Sequence, residues 1–194
     1  MAHARDDLPP RRMTLAAFDR WHKNRPERWE LIYGVPVMMA PGSLKHTTIK
    51  GNVFRRLANA LEGKPCRALV DGAQIKGQDF SAIPDVVVTC KPLPTSGSVV
   101  AEPALIVEVL SPSSERDDAG RQWRAYCLIG SLQHYLTVSQ EERFVTVHTR
   151  TGPFSWNVQV HQDGAIRLAA LDTTLSLDDV YDGVVFAPKE SGDG

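Results

Sequence analysis

The chain of 194 residues lacks the features that mark several specialised classes of protein. No apolar segment approaches the length of a membrane span, and the N-terminus shows no apolar run typical of a signal peptide. Internal repeats and low-complexity linkers are also missing. With a net charge of −1, nucleic-acid binding would need a local basic patch. We therefore expect a cytoplasmic protein without membrane contact.

Cysteine is scarce, and the three residues Cys66, Cys90 and Cys127 have no CxxC spacing. An odd count argues against a disulfide framework or a zinc ribbon and fits a reducing cytosol. We expect all three to be small buried side chains. Hydrophobic residues make up 42% and charged residues 23%, as in ordinary globular proteins. We predict one domain over residues 13–187, with flexible tails at 1–12 and 188–194.

Hydrophobic periodicity predicts a mixture of helices, hairpins and strands, which indicates an α/β or α+β fold with a mixed β-sheet flanked by helices. Helices are expected over 15–23, 46–63, 118–130 and near 177–183, and hairpins over 29–40, 134–150 and 154–168. Strands are expected over 66–76, 83–90 and 103–110, and a capped turn over 111–118. The continuous apolar character of 103–110 predicts a central strand covered on both faces.

Two carboxylates interrupt the apolar strands in the middle of the chain. Asp85 begins "DVVV", and Glu108 lies inside "PALIVEVL". If these strands pair, both carboxylates reach one edge of the sheet, where one must take up a proton or a cation must lie between them. Oxygen ligands of this kind suit Mg²⁺ or Mn²⁺. The alternative is structural: Asp85 caps a turn and Glu108 pairs with an arginine.

Several segments resemble the Uma family of restriction-endonuclease-like proteins, which belongs to the PD-(D/E)xK nuclease superfamily. The resemblance rests on "IPDVVV", "PALIVEVLSPSS" and "RDDAGRQWRAYCLIG". It extends to "MTLAAFDRW", "RWELIYGVPVMMAPGSLKH" and "LSLDDVYDGV", and so covers the chain from about Thr14 to Val184. It implies a restriction-endonuclease-like core, a mixed sheet flanked by helices, with additional β-hairpins.

The resemblance also implies roles for particular residues. Asp85 and Glu108 are the expected metal ligands, and Glu30 in "WELIYG" is expected nearby as a third acidic group. His46 in "SLKH" matches a histidine of the family pattern at the start of the second helix. The alternatives are purely structural roles: a salt bridge from Glu30 to an arginine, and a local hydrogen bond for His46.

One catalytic position departs from the pattern. In the superfamily a lysine follows the second acid by two residues, and here that residue is Leu110. The Uma pattern instead implies a lysine four residues before a tyrosine; with Tyr126 as the anchor, that position is Gln122. Glutamine cannot carry the charge that would orient water and stabilise the phosphate. Lys76 and Lys50 are two candidates to supply it.

Three functions remain open from the sequence. The first is a Mg²⁺-dependent endonuclease that hydrolyses DNA phosphodiester bonds, for which we expect a homodimer with one site for each strand. The second, favoured by Gln122, is a catalytically degenerate relative that binds nucleic acid or a protein partner without cleavage. The third is a structural protein whose acids are ion-paired. Basic side chains on two helices are candidate phosphate contacts or solvated faces: Lys45, Lys50, Arg55, Arg56, Arg116, Arg121 and Arg124.

Overall fold

Three β-sheets and the helices packed on them make up residues 12–110 and 118–187, the part of the chain that the computed structural model describes. The helices are α1 (Leu15–His22), α2 (Leu44–Ala60), α3 (Asp118–Tyr126) and α4 (Leu177–Val180), with a 3₁₀ turn at Ala169–Leu171. The strands are β1 (Trp29–Ile32), β2 (Val35–Met38), β3 (Arg67–Val70), β4 (Ile75–Lys76), β5 (Ser81–Ala82), β6 (Val86–Thr89), β7 (Pro103–Leu110), β8 (His134–Ser139), β9 (Val145–Arg150), β10 (Trp156–His161), β11 (Ala165–Leu168) and β12 (Thr173–Ser176).

The largest sheet has the strand order β10-β9-β8-β7-β6-β3. Strand β7 pairs antiparallel with β6 and parallel with β8, so the sheet is mixed and β7 is a central strand. Leu105 and Val107 face the cluster that contains α2, whereas Ile106 faces the cluster that contains Tyr126 of α3. The predicted mixed sheet flanked by helices is confirmed, and so is the prediction that 103–110 is covered on both faces.

Helix α2 covers one face of this sheet. Ile49, Val53 and Leu57 recur at helical spacing and are fully buried against the sheet. The helix begins at Leu44, two residues earlier than predicted, because the Ser43 hydroxyl accepts a hydrogen bond from the His46 amide at 3.0 Å. This cap places His46 in the first turn of α2.

The β1–β2 hairpin belongs to a second sheet, with the order β2-β1-β5-β4. Its turn residues Tyr33 and Gly34 have φ values of 50° and 75°. Positive φ at both central residues is the requirement of a type I′ turn, whose twist matches that of the strands. The antiparallel pairing of β1 with β2 confirms the predicted hairpin, and it places Glu30 opposite Val37.

Two predictions about strands are wrong. The segment 66–76 is not one strand, because β3 pairs with β6 in the large sheet while β4 pairs with β5 in the second sheet. The break lies at Asp71 and Gly72, which have φ values of 51° and 98°. The segment 154–168 is not a hairpin either, because β10 pairs with β9 and β11 pairs with β12.

The helix predicted over 118–130 is shorter than expected, since α3 ends at Tyr126. The predicted capped turn over 111–118 lies, except for its last residue, outside the described residues, as does Arg116. Within the two described ranges, no helix combines the length and apolarity needed to cross a bilayer.

Cys66 and Cys90 form a disulfide, so the expectation of three buried thiols is wrong. Arg67 pairs with Thr89 across β3 and β6. Continuing this antiparallel register by one step places Cys66, just before β3, opposite Cys90, just after β6. Cys127 is the free thiol among the described cysteines and is partly exposed. The odd count hid the pair because two cysteines 24 residues apart meet only when β3 and β6 align.

Candidate active site

Asp85 and Glu108 are neighbours at the N-terminal end of β6, as the sequence predicted for the case in which the two strands pair. Val86 is the partner of Val107 in the antiparallel ladder, and continuing that register by one step pairs Asp85 with Glu108. Asp85 lies just outside β6, and its carboxylate contacts His46 of α2, whereas Glu108 contacts Tyr126 of α3. The charge of Asp85 contributes to the raised pKa of Glu108, so the two carboxylates are close neighbours.

Asp85 is held by donors on both of its oxygens. His46 Nε2 lies 2.8 Å from Oδ1, and the Val109 amide donates to Oδ2 at 2.8 Å. Lys50 Nζ lies 3.8 Å from the same Oδ1. A Cβ at Gly42 would lie 2.8 Å from His46 Cδ2, so glycine makes room for the imidazole. These contacts fix the orientation of the Asp85 carboxylate.

Glu108 is almost completely buried, with 8% of its surface exposed. The Tyr126 hydroxyl donates to its Oε1 at 2.9 Å. Burial, with further contributions from the charges of Asp85 and Glu30, raises the pKa of Glu108 well above its usual value. The alternative pairing of Glu108 with an arginine has no counterpart among the contacts found in the described residues.

Glu30 is buried beside this pair. Its Oε1 accepts the Ile83 amide at 2.7 Å, and its Oε2 accepts from Gln122 Nε2 at 3.4 Å. Burial is the main cause of its raised pKa, and the Asp85 charge adds to the effect. Glu30 therefore contacts amide groups rather than an arginine side chain, and it contributes a third carboxylate to the site.

Gln122 thus lies at the acidic site, in the position where the resemblance implies a lysine. Arg121, its neighbour on α3, and Arg124 are exposed. Lys76 is bound elsewhere, because its Nζ lies 2.7 Å from Asp19 in α1. Of the two lysines considered from the sequence, Lys50 is the one that lines the site.

These side chains line a cleft of about 1170 Å³. It lies between the β1–β2 hairpin, the start of α2, and the ends of β6 and β7 where Asp85 and Glu108 are found. Arg28 and Asp71 also line it, and sequence reasoning missed both. The Asp71-Gly72 dipeptide is a strong turn signal, and it was read as part of a strand. That signal predicts a break between two strands, which is where the structure has it.

The basic residues of α2 are largely neutralised by acids. Arg55 lies 3.3 Å from Asp182, and Arg56 lies 2.7 Å from Asp179. Lys45 lies 3.9 Å from Glu141. Lys45, Arg55 and Arg56, three of the basic residues predicted on this helix, therefore form ion pairs with acids near the surface.

A divalent cation fits the chemistry of Asp85 and Glu108. Within the described residues, no group of three or more His, Cys, Asp and Glu side chains is arranged to hold a metal. Mg²⁺ typically takes only one or two carboxylates and completes its shell with water and substrate phosphates. Asp85 and Glu108 are two neighbouring carboxylates whose charges repel one another, and they match that ligand set.

Comparison with known families identifies the family of this chain. Residues 15–178 match the family described as "Uma2: Putative restriction endonuclease". The chain belongs to the Uma2 family. The resemblance found in the sequence is thereby confirmed, and membership supports a nuclease-like function.

Three similar proteins give further comparisons. The chain is 29% identical to "Uncharacterized protein slr1290" of Synechocystis over 173 residues, covering 86% of this chain and 90% of that protein. It is 28% identical to "Uncharacterized protein sll1609" of the same organism, covering 74% and 84%. A crystal structure of "a putative nuclease belonging to DUF820" from Anabaena variabilis superposes with a TM-score of 0.74 at 19% identity. It covers 89% of this chain and 99% of that chain, and it establishes the shared fold.

Proposed function

We propose that this Uma2 protein is an endonuclease that hydrolyses DNA phosphodiester bonds with Mg²⁺ or Mn²⁺ held by Asp85 and Glu108. The observation that carries the proposal is the meeting of Asp85 with the buried Glu108, whose pKa is raised by burial and by neighbouring carboxylates. Such an arrangement costs stability unless a cation offsets it. Active sites are where this cost is commonly retained.

The other site residues have supporting roles in this proposal. A bound divalent cation would supply charge for the phosphate and a more acidic water. His46 orients the Asp85 carboxylate through the 2.8 Å hydrogen bond. We assign Glu30 the role of taking a proton from water, because burial raises its pKa and makes its carboxylate a stronger base.

A second candidate function is favoured by Gln122. Its amide donates to Glu30 and brings no positive charge to the place where the family pattern implies a lysine. In this alternative the protein is a degenerate nuclease that binds nucleic acid or a protein partner without cutting. Metal binding without cleavage is the result that it predicts.

Calorimetric titration of Mg²⁺ and Mn²⁺, with plasmid cleavage on the same samples, tests the proposal. Wild type should bind and nick, and Asp85→Ala and Glu108→Gln should lose both properties. Glu102→Gln is the matched control, because Glu102 is an exposed acid paired with Lys91. Binding without nicking would support the degenerate alternative. Failure of wild type to bind either ion would overturn both metal-based functions.

The homodimer remains a prediction, and it adds one expected result. A dimer with two sites should convert supercoiled plasmid directly to linear product, whereas a monomer should accumulate nicked circles first. Sedimentation velocity of the same samples gives the mass that decides between these forms.

A further inference from the structure

We propose that Lys50, positioned by Asp71, contacts the substrate phosphate beside Asp85 and supplies the positive charge that Gln122 cannot. The inference deepens the proposed nuclease function and rests on it. It identifies one residue of α2 as the phosphate-binding group and one residue of the β3–β4 turn as its positioning residue.

Three basic side chains line the cleft, and Lys50 is the least exposed of them. Its side chain is 15% exposed, compared with 50% for Arg28 and 36% for Lys45. Lys45 is turned toward Gln140, to whose carbonyl it donates at 3.2 Å. A lysine that is shielded from water interacts more strongly with a phosphate than an exposed one.

Helix geometry explains why Lys50 reaches the acids. It follows His46 by four residues, so both side chains project from one face of α2. His46 Nε2 and Lys50 Nζ approach the same Asp85 oxygen, at 2.8 Å and 3.8 Å. Lys50 is thus adjacent to the proposed metal ligand and lies on the wall of the cleft that a phosphate would enter.

Asp71 holds the ammonium group in place. Its Oδ1 lies 2.9 Å from Lys50 Nζ, and the hydrogen bond from Lys50 lowers the pKa of Asp71. Asp71 adopts a φ of 51°, a left-handed conformation that is uncommon outside glycine but tolerated by Asp and Asn. The turn that ends β3 therefore aims a carboxylate at the lysine.

The charge balance of the cleft shows why such a lysine matters. Acidic side chains outnumber basic ones along its walls: Glu27, Glu30, Asp71, Asp85, Glu108 and Glu141 against Arg28, Lys45 and Lys50. A phosphodiester entering this cleft meets repulsion unless cationic groups contact it. Lys50 would offset that repulsion together with the divalent cation.

The hydrolytic step assigns Lys50 no proton transfer. The water oxygen forms a bond to phosphorus, the ester bond to the leaving oxygen breaks, and one water proton passes to Glu30. The leaving oxygen takes its proton from solvent. Lys50 stays an ammonium throughout and stabilises charge on the phosphate oxygens.

The test compares Lys50→Gln with Lys91→Gln, a matched control on an exposed lysine paired with Glu102. Two quantities are measured: plasmid cleavage with Mn²⁺, and duplex DNA binding by fluorescence anisotropy over a range of salt concentrations in EDTA. Lys50→Gln should lower cleavage about 100-fold and reduce the salt slope of binding by about 0.9, the value for one phosphate contact. Lys91→Gln should match wild type in both.

Further variants separate the charge from the fold. The double variant Lys50→Gln/Gln122→Lys should recover cleavage relative to Lys50→Gln, because it returns one charge to the acidic site. Asp71→Asn keeps a residue that tolerates the left-handed turn, and it should lower cleavage by about tenfold while leaving Mn²⁺ binding unchanged. If Lys50→Gln fails to fold, Asp71→Asn and Lys50→Arg carry the test.

The outcomes distinguish this inference from the proposed function. If wild type cleaves DNA and Lys50→Gln shows the same cleavage rate and the same salt slope, the role of Lys50 is overturned. The proposed nuclease function is then unaffected. If wild type binds DNA but does not cut it, a reduced slope in Lys50→Gln still supports the phosphate contact. An unchanged slope overturns it.

Discussion

At the scale of single residues, the buried Glu108 carboxylate lowers the stability of the metal-free protein. Its carboxylate is buried against Tyr126 and faces the charges of Asp85 and Glu30. In the absence of metal, Glu108→Gln should therefore raise the melting temperature by roughly 2–4 °C, the shift that corresponds to about 1 kcal/mol in a domain of this size. Calorimetry of the metal-free proteins measures the shift.

The pH dependence gives this prediction its sign. Because the pKa of Glu108 is raised in the folded state, its contribution to stability is complete below the unfolded value of 4.5. That contribution is lost as pH rises through the folded pKa. The advantage of Glu108→Gln should thus be small at pH 4 and grow toward neutrality. A pH-independent difference would contradict the electrostatic cause.

Asp71 shows what sequence reasoning missed at this scale. Asp85 and Glu108 could be predicted as neighbours because each lies in its own apolar strand, and pairing of adjacent strands is common. The place of Asp71 depends on a left-handed turn between two sheets. The sequence shows the Asp-Gly pair, but it does not show which sheet each flanking segment joins.

At the scale of elements, Tyr181 ties the end of α4 to the β8–β9 connection. Its hydroxyl donates within 3.1 Å of the Ser139 and Phe144 carbonyls and accepts the Phe144 amide at 3.1 Å. Tyr181→Phe should cost about 1–2 kcal/mol at pH 8, because the Phe144 amide and the Ser139 carbonyl lose their hydrogen bonds to the hydroxyl. Urea unfolding at that pH measures the loss.

The same side chain predicts an alkaline transition. Burial raises the pKa of Tyr181 to about 12. The unfolded tyrosine ionises near pH 10, so the contribution of Tyr181 to stability should be constant below pH 10 and fall between about 10 and 12. Tyr181→Phe should reduce this fall without abolishing it, since burial also raises the pKa of Tyr126 and Tyr135. An identical alkaline profile in the variant would refute the assignment.

Most elements could be predicted because their signals are local. Helix α2 follows from apolar residues at every fourth position, and the β1–β2 hairpin follows from its Tyr-Gly turn. The segment 154–168 misled because Asp163-Gly164 is also a hairpin signal. In the fold, β10 extends the large sheet and β11 pairs with β12, so longer-range pairing prevails over the local turn.

At the scale of the whole molecule, the disulfide joins β3 to β6, the strand that follows Asp85. A cross-link closing a loop of this length stabilises by about 3 kcal/mol. Cys66→Ser/Cys90→Ser, or reduction by dithiothreitol, should thus lower the melting temperature by roughly 6–12 °C. Cys127→Ser is the control, and its melting temperature should stay near that of wild type. Equal stability with and without reductant would contradict the prediction.

The disulfide also changes the argument about compartment. A reducing cytosol was inferred from an odd cysteine count, and the bond between Cys66 and Cys90 removes that support. The single domain over 13–187 stays a prediction at this scale. A limited proteolysis pattern that trims only the two ends would agree with it, and an internal cut that releases two stable halves would not.

Because β6 pairs with β7, cation binding at the proposed site depends on the register of these two strands. Asp85 lies opposite Glu108 only in the register that joins Val86 to Val107. A slip by one residue would turn the Glu108 side chain to the other face of the sheet while leaving the strand content nearly unchanged. Circular dichroism would not separate these two forms. Cation affinity would, so a titration reports the fraction of a preparation that has reached the native alignment.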